Sequence, residues 1–280
     1  MDPEPDDGEN GESIAAQEGT DGVDFLSGHS GQDQLDGYGG GDELKGYAGD
    51  DSLFGGDGTD VLLGDEGGDN LSGGNDSDSL RGGDDDDTLW GDDGNDDLAG
   101  QMGNDQIFGG SGDDQGHGGE GDDNMSGEDG NDILMGDFGA DTLIGGRGAD
   151  DLAGGAGNDY LFGGDQHGLD DGESDTLNGQ DGDDVLVLNA GDYGAGQEGA
   201  DIFVLRDFTS DMPPAVITDF SEGEDSLVLI YDSQMHPSPD VTFEEDPDTG
   251  DATLVLDGVP LATILGGAGI DLSNIDIRAG

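Results

Sequence analysis

The chain has 280 residues, 71 of them acidic against 5 basic, giving a formal net charge of -66, with 60 glycines and no cysteine. That charge repels nucleic acid and anionic membrane surfaces and leaves cations as natural partners, and the lack of cysteine excludes disulfide staples and thiolate zinc sites. Leu, Ile, Val and Phe make up only about a fifth of the chain, so composition alone reads as intrinsic disorder.

Residues 1–18, opening MDPEPDDGENGE, are predicted to be an acidic disordered tail; they lack the basic, apolar pattern of an N-terminal leader. The chain contains no apolar run of transmembrane length, so no membrane insertion is expected. From Gly19 to Phe162, sixteen nine-residue units follow without a slip in register. Each opens with Gly and carries Asp at its sixth place: Asp24, Asp33, Asp42, Asp51, Asp60, Asp69, Asp78, Asp87, Asp96, Asp105, Asp114, Asp123, Asp132, Asp141, Asp150 and Asp159. The eighth place is apolar in fifteen of the sixteen; Gly116, in the core column between Leu98 and Leu134, is the exception. A period this strict signals a solenoid.

The unit reads as GGxGxDxUx, U being a large apolar residue. Five glycine-rich residues form a turn, because glycine readily takes the positive φ a tight turn needs. The following xUx is a minimal strand with one inward side chain. Two units make an 18-residue coil, and stacked coils give two parallel sheets with the apolar side chains between them.

Stacking also aligns the aspartates in two columns, each carboxylate about 5 Å from the next. Repulsion at that distance is about 1 kcal/mol in water and about 3 at an effective dielectric of 20. Summed along both columns it exceeds an ordinary net stability of about 5–15 kcal/mol, so the bare roll is not expected to form. A hard divalent cation between successive carboxylates reverses the sign, with turn carbonyls as further ligands. Calcium accepts six to eight oxygens at loose geometry, whereas magnesium demands an octahedron and retains water. Calcium is therefore expected, about one ion per stacked pair of turns.

After Phe162 an insertion around residues 166–172 lengthens one unit, which ends with Asp175 and Leu177; regular units follow at Asp184 and at Asp201. From Asp201 the segments DIFVLRDF, AVITDF, DSLVLIYD, DATLVLDG and LATILGG read as strands with fuller side chains. An open solenoid end needs a cover, so residues 188–280 are expected to hold the last repeat and a β cap.

Runs such as GGRGADDLA (145–153), GGAGNDYLF (154–162) and GEDGNDILM (127–135) make residues 19–205 resemble the RTX, or haemolysin-type, calcium-binding β-roll. The resemblance implies an all-β, right-handed parallel β-roll solenoid spanning 19–187, with a C-terminal β capping region. It also implies that each sixth-place Asp, including Asp175, Asp184 and Asp201, binds calcium together with backbone oxygens of its own turn and the next same-side turn. Asp76 and Asp85 depart from the pattern by replacing the fourth-place glycine. ADIFVL followed by ITDFSEGEDSLVL resembles the closing region of RTX proteases and alginate epimerase modules, which implies an uncleaved signal for a type I secretion apparatus in the last 50 or so residues.

Catalysis finds no support in the motifs. His29, His117, His167 and His236 form no HExxH, and no GxSxG is present, so no enzymatic role is expected. The outward ninth places of one sheet include Phe54, Trp90, Phe108, Ile144 and Phe162, a candidate contact surface for self-association or a saccharide, or a face covered by the chain's own loops. The expected function is a secreted, extracellular bacterial calcium-binding protein acting in a matrix, in adhesion or at a surface. The alternative is the calcium-dependent secretion and targeting module of a larger extracellular enzyme.

Overall fold

A computed structural model describes residues 15–164, 172–206, 213–270 and 275–279; most of the N-terminal tail and nearly all of the insertion lie outside the described residues. The chain divides into two compact units, Met1–Ile133 and Leu134–Gly280.

The first unit is a parallel β-solenoid. Its strands are β1 (Ala15–Thr20), β2 (Phe25–Ser27), β3 (Asp33–Tyr38), β4 (Glu43–Ala48), β5 (Ser52–Asp57), β6 (Val61–Glu66), β7 (Asn70–Asn75), β8 (Ser79–Asp84), β9 (Thr88–Asp93), β10 (Asp97–Met102), β11 (Gln106–Ser111), β12 (Gln115–Glu120) and β13 (Asn124–Asp129). Odd and even strands form two separate sheets in chain order. The register is the repeat itself: Leu53 lies opposite Leu71, Leu62 opposite Leu80, Leu89 opposite Ile107 and Leu98 opposite Gly116. The eighth-place side chains from Leu35 to Ile107 are completely buried, each contributing about 1.5–3 kcal/mol.

Strands run six residues rather than the three that xUx predicts, because pairing resumes after the first-place glycine. Phe54 pairs with Ser72 and Gly56 with Gly74, while Gly55 is skipped. Glycine or a residue in the left-handed region at the second place makes this step: φ is 105° at Gly56 and 82° at Tyr47. Asp76 and Asp85 adopt φ of 75° and 80°, so the turn survives loss of the fourth-place glycine.

Strand β14 (Ile133–Phe138) begins at the division. The second unit continues with β15 (Thr142–Arg147), β16 (Asp151–Ala156), β17 (Tyr160–Phe162), β18 (Thr176–Asp181), β19 (Val185–Leu188), β20 (Tyr193–Glu198), β21 (Ile202–Leu205), β22 (Ala215–Ile217), β23 (Ser226–Tyr231), β24 (Val241–Glu245), β25 (Ala252–Leu256), β26 (Val259–Ile264) and β27 (Ile275–Ala279). The insertion leaves the alternation intact, since Leu152 pairs with Leu177 and Leu161 with Leu186. One sheet then runs from β19 through β21 and β23 to β27, all parallel. The other passes from β22 to β26, where β26, β25 and β24 turn antiparallel. This antiparallel meander is the expected β cap, and it ends the parallel ladder of that sheet. Asp257 and Gly258, at φ of 50° and 84°, supply the tight turn between β25 and β26. His236 Nδ1 lies 2.6 Å from Asp257 Oδ2 and holds the preceding loop to that turn.

Candidate metal centre

Each sixth-place Asp follows a glycine-rich turn that fixes its backbone at the mouth of a strand, so its side chain points back beneath the turn. Of the nineteen sequence-predicted aspartates, eighteen, through Asp175, Asp184 and Asp201, are at most 4% exposed, and Asp24 is half-buried. Their Oδ1 atoms form a ladder. The N–H of Asp33 donates to Asp51 Oδ1, that of Asp51 to Asp69, and that of Asp69 to Asp87, each at 2.7 Å. The other column repeats it from Asp24 through Asp42, Asp60 and Asp78 to Asp96. In the second unit the ladder absorbs the altered spacing: Asp150 donates to Asp175 and Asp159 to Asp184, both at 2.9 Å.

The second oxygen is different. Oδ2 of every sixth-place Asp from Asp42 to Asp114, and of Asp159, Asp184 and Asp201, is buried without a hydrogen-bond partner. A buried carboxylate oxygen left this way costs free energy unless it meets a proton or a cation. Burial accordingly pushes the carboxyl up to about 6 at Asp51, about 7 at Asp69 and about 8 at Asp87, against the opposing pull of the ladder N–H; neighbouring carboxylates push in the same direction as burial.

The first-place glycines complete the cradle. A Cβ on Gly55 would fall closer than 3.0 Å to both Asp60 Oδ2 and the Gly73 carbonyl oxygen, and a Cβ on Gly46 closer than 3.0 Å to Asp51 Oδ2 and the Gly64 carbonyl. One carboxylate oxygen and a carbonyl of the next same-side turn thus converge where no side chain fits. Among the described residues no three His, Asp or Glu side chains cluster as a metal cage. The oxygens that do converge, one carboxylate oxygen per turn and a carbonyl, form an all-oxygen set that suits a hard cation of flexible coordination. The family model of the RTX calcium-binding nonapeptide repeat matches residues 18–44, 36–71, 72–107, 108–143, 135–169 and 170–193.

The chain belongs to this RTX repeat family. It is accordingly a calcium-binding repeat protein, and the unpartnered Oδ2 atoms fit that ion. Among curated proteins none matches the chain. The solved structures similar to this chain include two at low identity. One is a subunit of the mannuronan C5-epimerase of Azotobacter vinelandii, at 20% identity and a TM-score of 0.27, covering 59% of this chain and 78% of that one. The other is an extracellular lipase of Serratia marcescens, at 16% identity and a TM-score of 0.22, covering 79% of this chain and 40% of that one.

Two RTX column members escape the motif. Asp192 accepts from the Asp175 N–H at 3.1 Å and Asp225 from the Asp201 N–H at 3.0 Å, reached over steps of 17 and 24 residues. Asp192 is followed two places later by Gly194 rather than an apolar residue, and Asp225 lies beyond the last GGxGx turn, so only a search for Asp without its motif would find them. The fifth place is a second ladder, with opposite polarity: the N–H of Asn104 donates to Asp86 Oδ1 and that of Asp122 to Asn104 Oδ1, both at 2.8 Å. The frequent Asn or Asp before the sixth-place Asp is thereby explained as an exposed backbone acceptor.

The outward residues divide. Trp90 and Phe108 stack with centroids 6.2 Å apart and planes at 11°. Phe54 is 40% exposed, whereas Phe162 is buried beneath the Arg206 guanidinium, 5.1 Å from its ring, and is not available as a contact surface. Ile144, paired with Phe162, is half-buried.

Proposed function

We propose that this chain is a secreted, non-enzymatic RTX protein that folds on binding many calcium ions outside the cell and serves as a matrix, adhesive or surface-associated component. The observation that carries the reading is the series of buried, unpartnered Oδ2 atoms from Asp42 to Asp114. Each needs a positive charge that the five Lys and Arg residues cannot supply. Where calcium is scarce the columns repel and the chain stays extended, a form that a type I secretion apparatus can export. At extracellular calcium, in the 10⁻⁴–10⁻³ M range typical of such modules, the carboxylates are neutralised and folding follows. The non-enzymatic reading rests on the engagement of the conspicuous carboxylates in the ladders. The stacked Trp90 and Phe108 are the candidate surface for self-association or a saccharide ring.

The test is far-UV circular dichroism at pH 8 in chelator and in millimolar calcium. Coil without calcium and β structure with it are expected; a β spectrum that persists in chelator overturns the reading.

A further inference from the structure

At four members of the acidic columns Oδ2 accepts a backbone N–H, whereas from Asp42 to Asp114 it has no hydrogen-bond partner. In the first turns, Asp24 Oδ2 accepts the Thr20 N–H at 2.7 Å and its hydroxyl at 2.8 Å, and Asp33 Oδ2 accepts the His29 N–H at 2.6 Å. In the second unit, Asp192 Oδ2 accepts the Asn189 N–H at 2.6 Å and Asp225 Oδ2 the Ser221 N–H at 2.7 Å. Backbone conformation accompanies the difference. Interior turns place a left-handed residue second, as at Tyr47 (82°), Gly56 (105°) and Asp65 (80°), ahead of Asp51, Asp60 and Asp69, whose Oδ2 atoms have no partner. Thr20 and His29 hold the same second place but do not enter the left-handed region, which is costly for a β-branched residue, and their N–H groups turn onto the carboxylate.

From this we infer that in each unit the calcium column is closed by backbone amides, so that Asp24, Asp33, Asp192 and Asp225 are not calcium ligands and the ions are confined to turns whose Oδ2 accepts no such amide. An N–H hydrogen and a cation placed on the same carboxylate oxygen repel each other. A charge-assisted N–H bond to a carboxylate is short and strong, so it satisfies the oxygen without an ion. Terminal turns need this device because a column of ions would otherwise end on a half-formed ligand set. The inference rests on the calcium-binding reading above and narrows it to particular residues.

Calcium bound per chain, measured by equilibrium dialysis at saturating calcium, tests it in the full-length protein. Asp33→Asn and Asp225→Asn are expected to bind as many ions as the wild type, while Asp69→Asn loses at least one. Loss of an ion in Asp33→Asn or Asp225→Asn overturns the inference, whereas a wild type that binds no calcium overturns the underlying reading instead. If the end variants do not fold, amide hydrogen exchange on the calcium-loaded wild type decides: the His29 and Ser221 amides should be protected, and exchange at the rate of an open loop excludes the closure.

Discussion

The backbone N–H of Asp69 donates to Oδ1 of Asp87 at 2.7 Å, while Oδ2 of Asp87 has no partner at all. One side chain thus does two jobs: its first oxygen registers one coil on another, and its second waits for positive charge. A proton satisfies it as well as a metal ion does, and pH dependence follows.

In the ion-free roll, Asp69 and Asp78 titrate at about 7 and Asp87 at about 8, against 3.8 ordinarily, because burial disfavours their charged forms. The folded state therefore binds protons more tightly than the unfolded chain. Its stability is fully present below about pH 4 and is lost as pH rises through about 6 to 8. In calcium-depleted buffer, circular dichroism should show more β structure at pH 5 than at pH 8. With calcium present protons compete with the ion for Oδ2, and the calcium midpoint should rise as pH falls through about 8 to 6. A β signal that grows with pH in depleted buffer would contradict this assignment.

Gly55→Ala probes the cradle without altering any carboxylate. Its Cβ would press on Asp60 Oδ2 and the Gly73 carbonyl at once, so the two oxygens must separate. Calcium titration followed by circular dichroism should show a midpoint raised several-fold and a loss of about 1–3 kcal/mol in calcium-bound stability. An unchanged midpoint would place the binding oxygens elsewhere.

Gly116 occupies a buried core place opposite Leu98. Substituting leucine there should stabilise the calcium-bound roll by about 1–3 kcal/mol if the side chain is fully buried. Thermal melts in saturating calcium measure it. A lower midpoint would mean that neighbouring side chains already fill the space.

The double variant Trp90→Ser, Phe108→Ser removes the stacked pair, worth about 0.5–1.5 kcal/mol beyond its buried area. Calcium-induced folding should persist, because neither ring reaches the core between the sheets. Sedimentation of wild type and variant in calcium should show weaker self-association in the variant. A wild type that sediments as a monomer would shift this surface from self-association to another role.

The repeat alone determined which leucines meet in the core, that aspartates 18 residues apart share a column, and that the charge demands a cation. These follow from side-chain periodicity, which depends only on the nine-residue spacing. Tertiary structure decided the rest. It recruited Asp192 and Asp225 through steps of 17 and 24 residues that carry no motif, and it covered Phe162 with Arg206, whose approach depends on a chain path after the repeats. It also separated Asp33 from Asp51, identical in sequence place, by the direction of one N–H. That direction is set by the φ of His29 and Tyr47, which neither residue type dictates by itself; the neighbouring coils fix it, because each backbone must continue the ladder above and below.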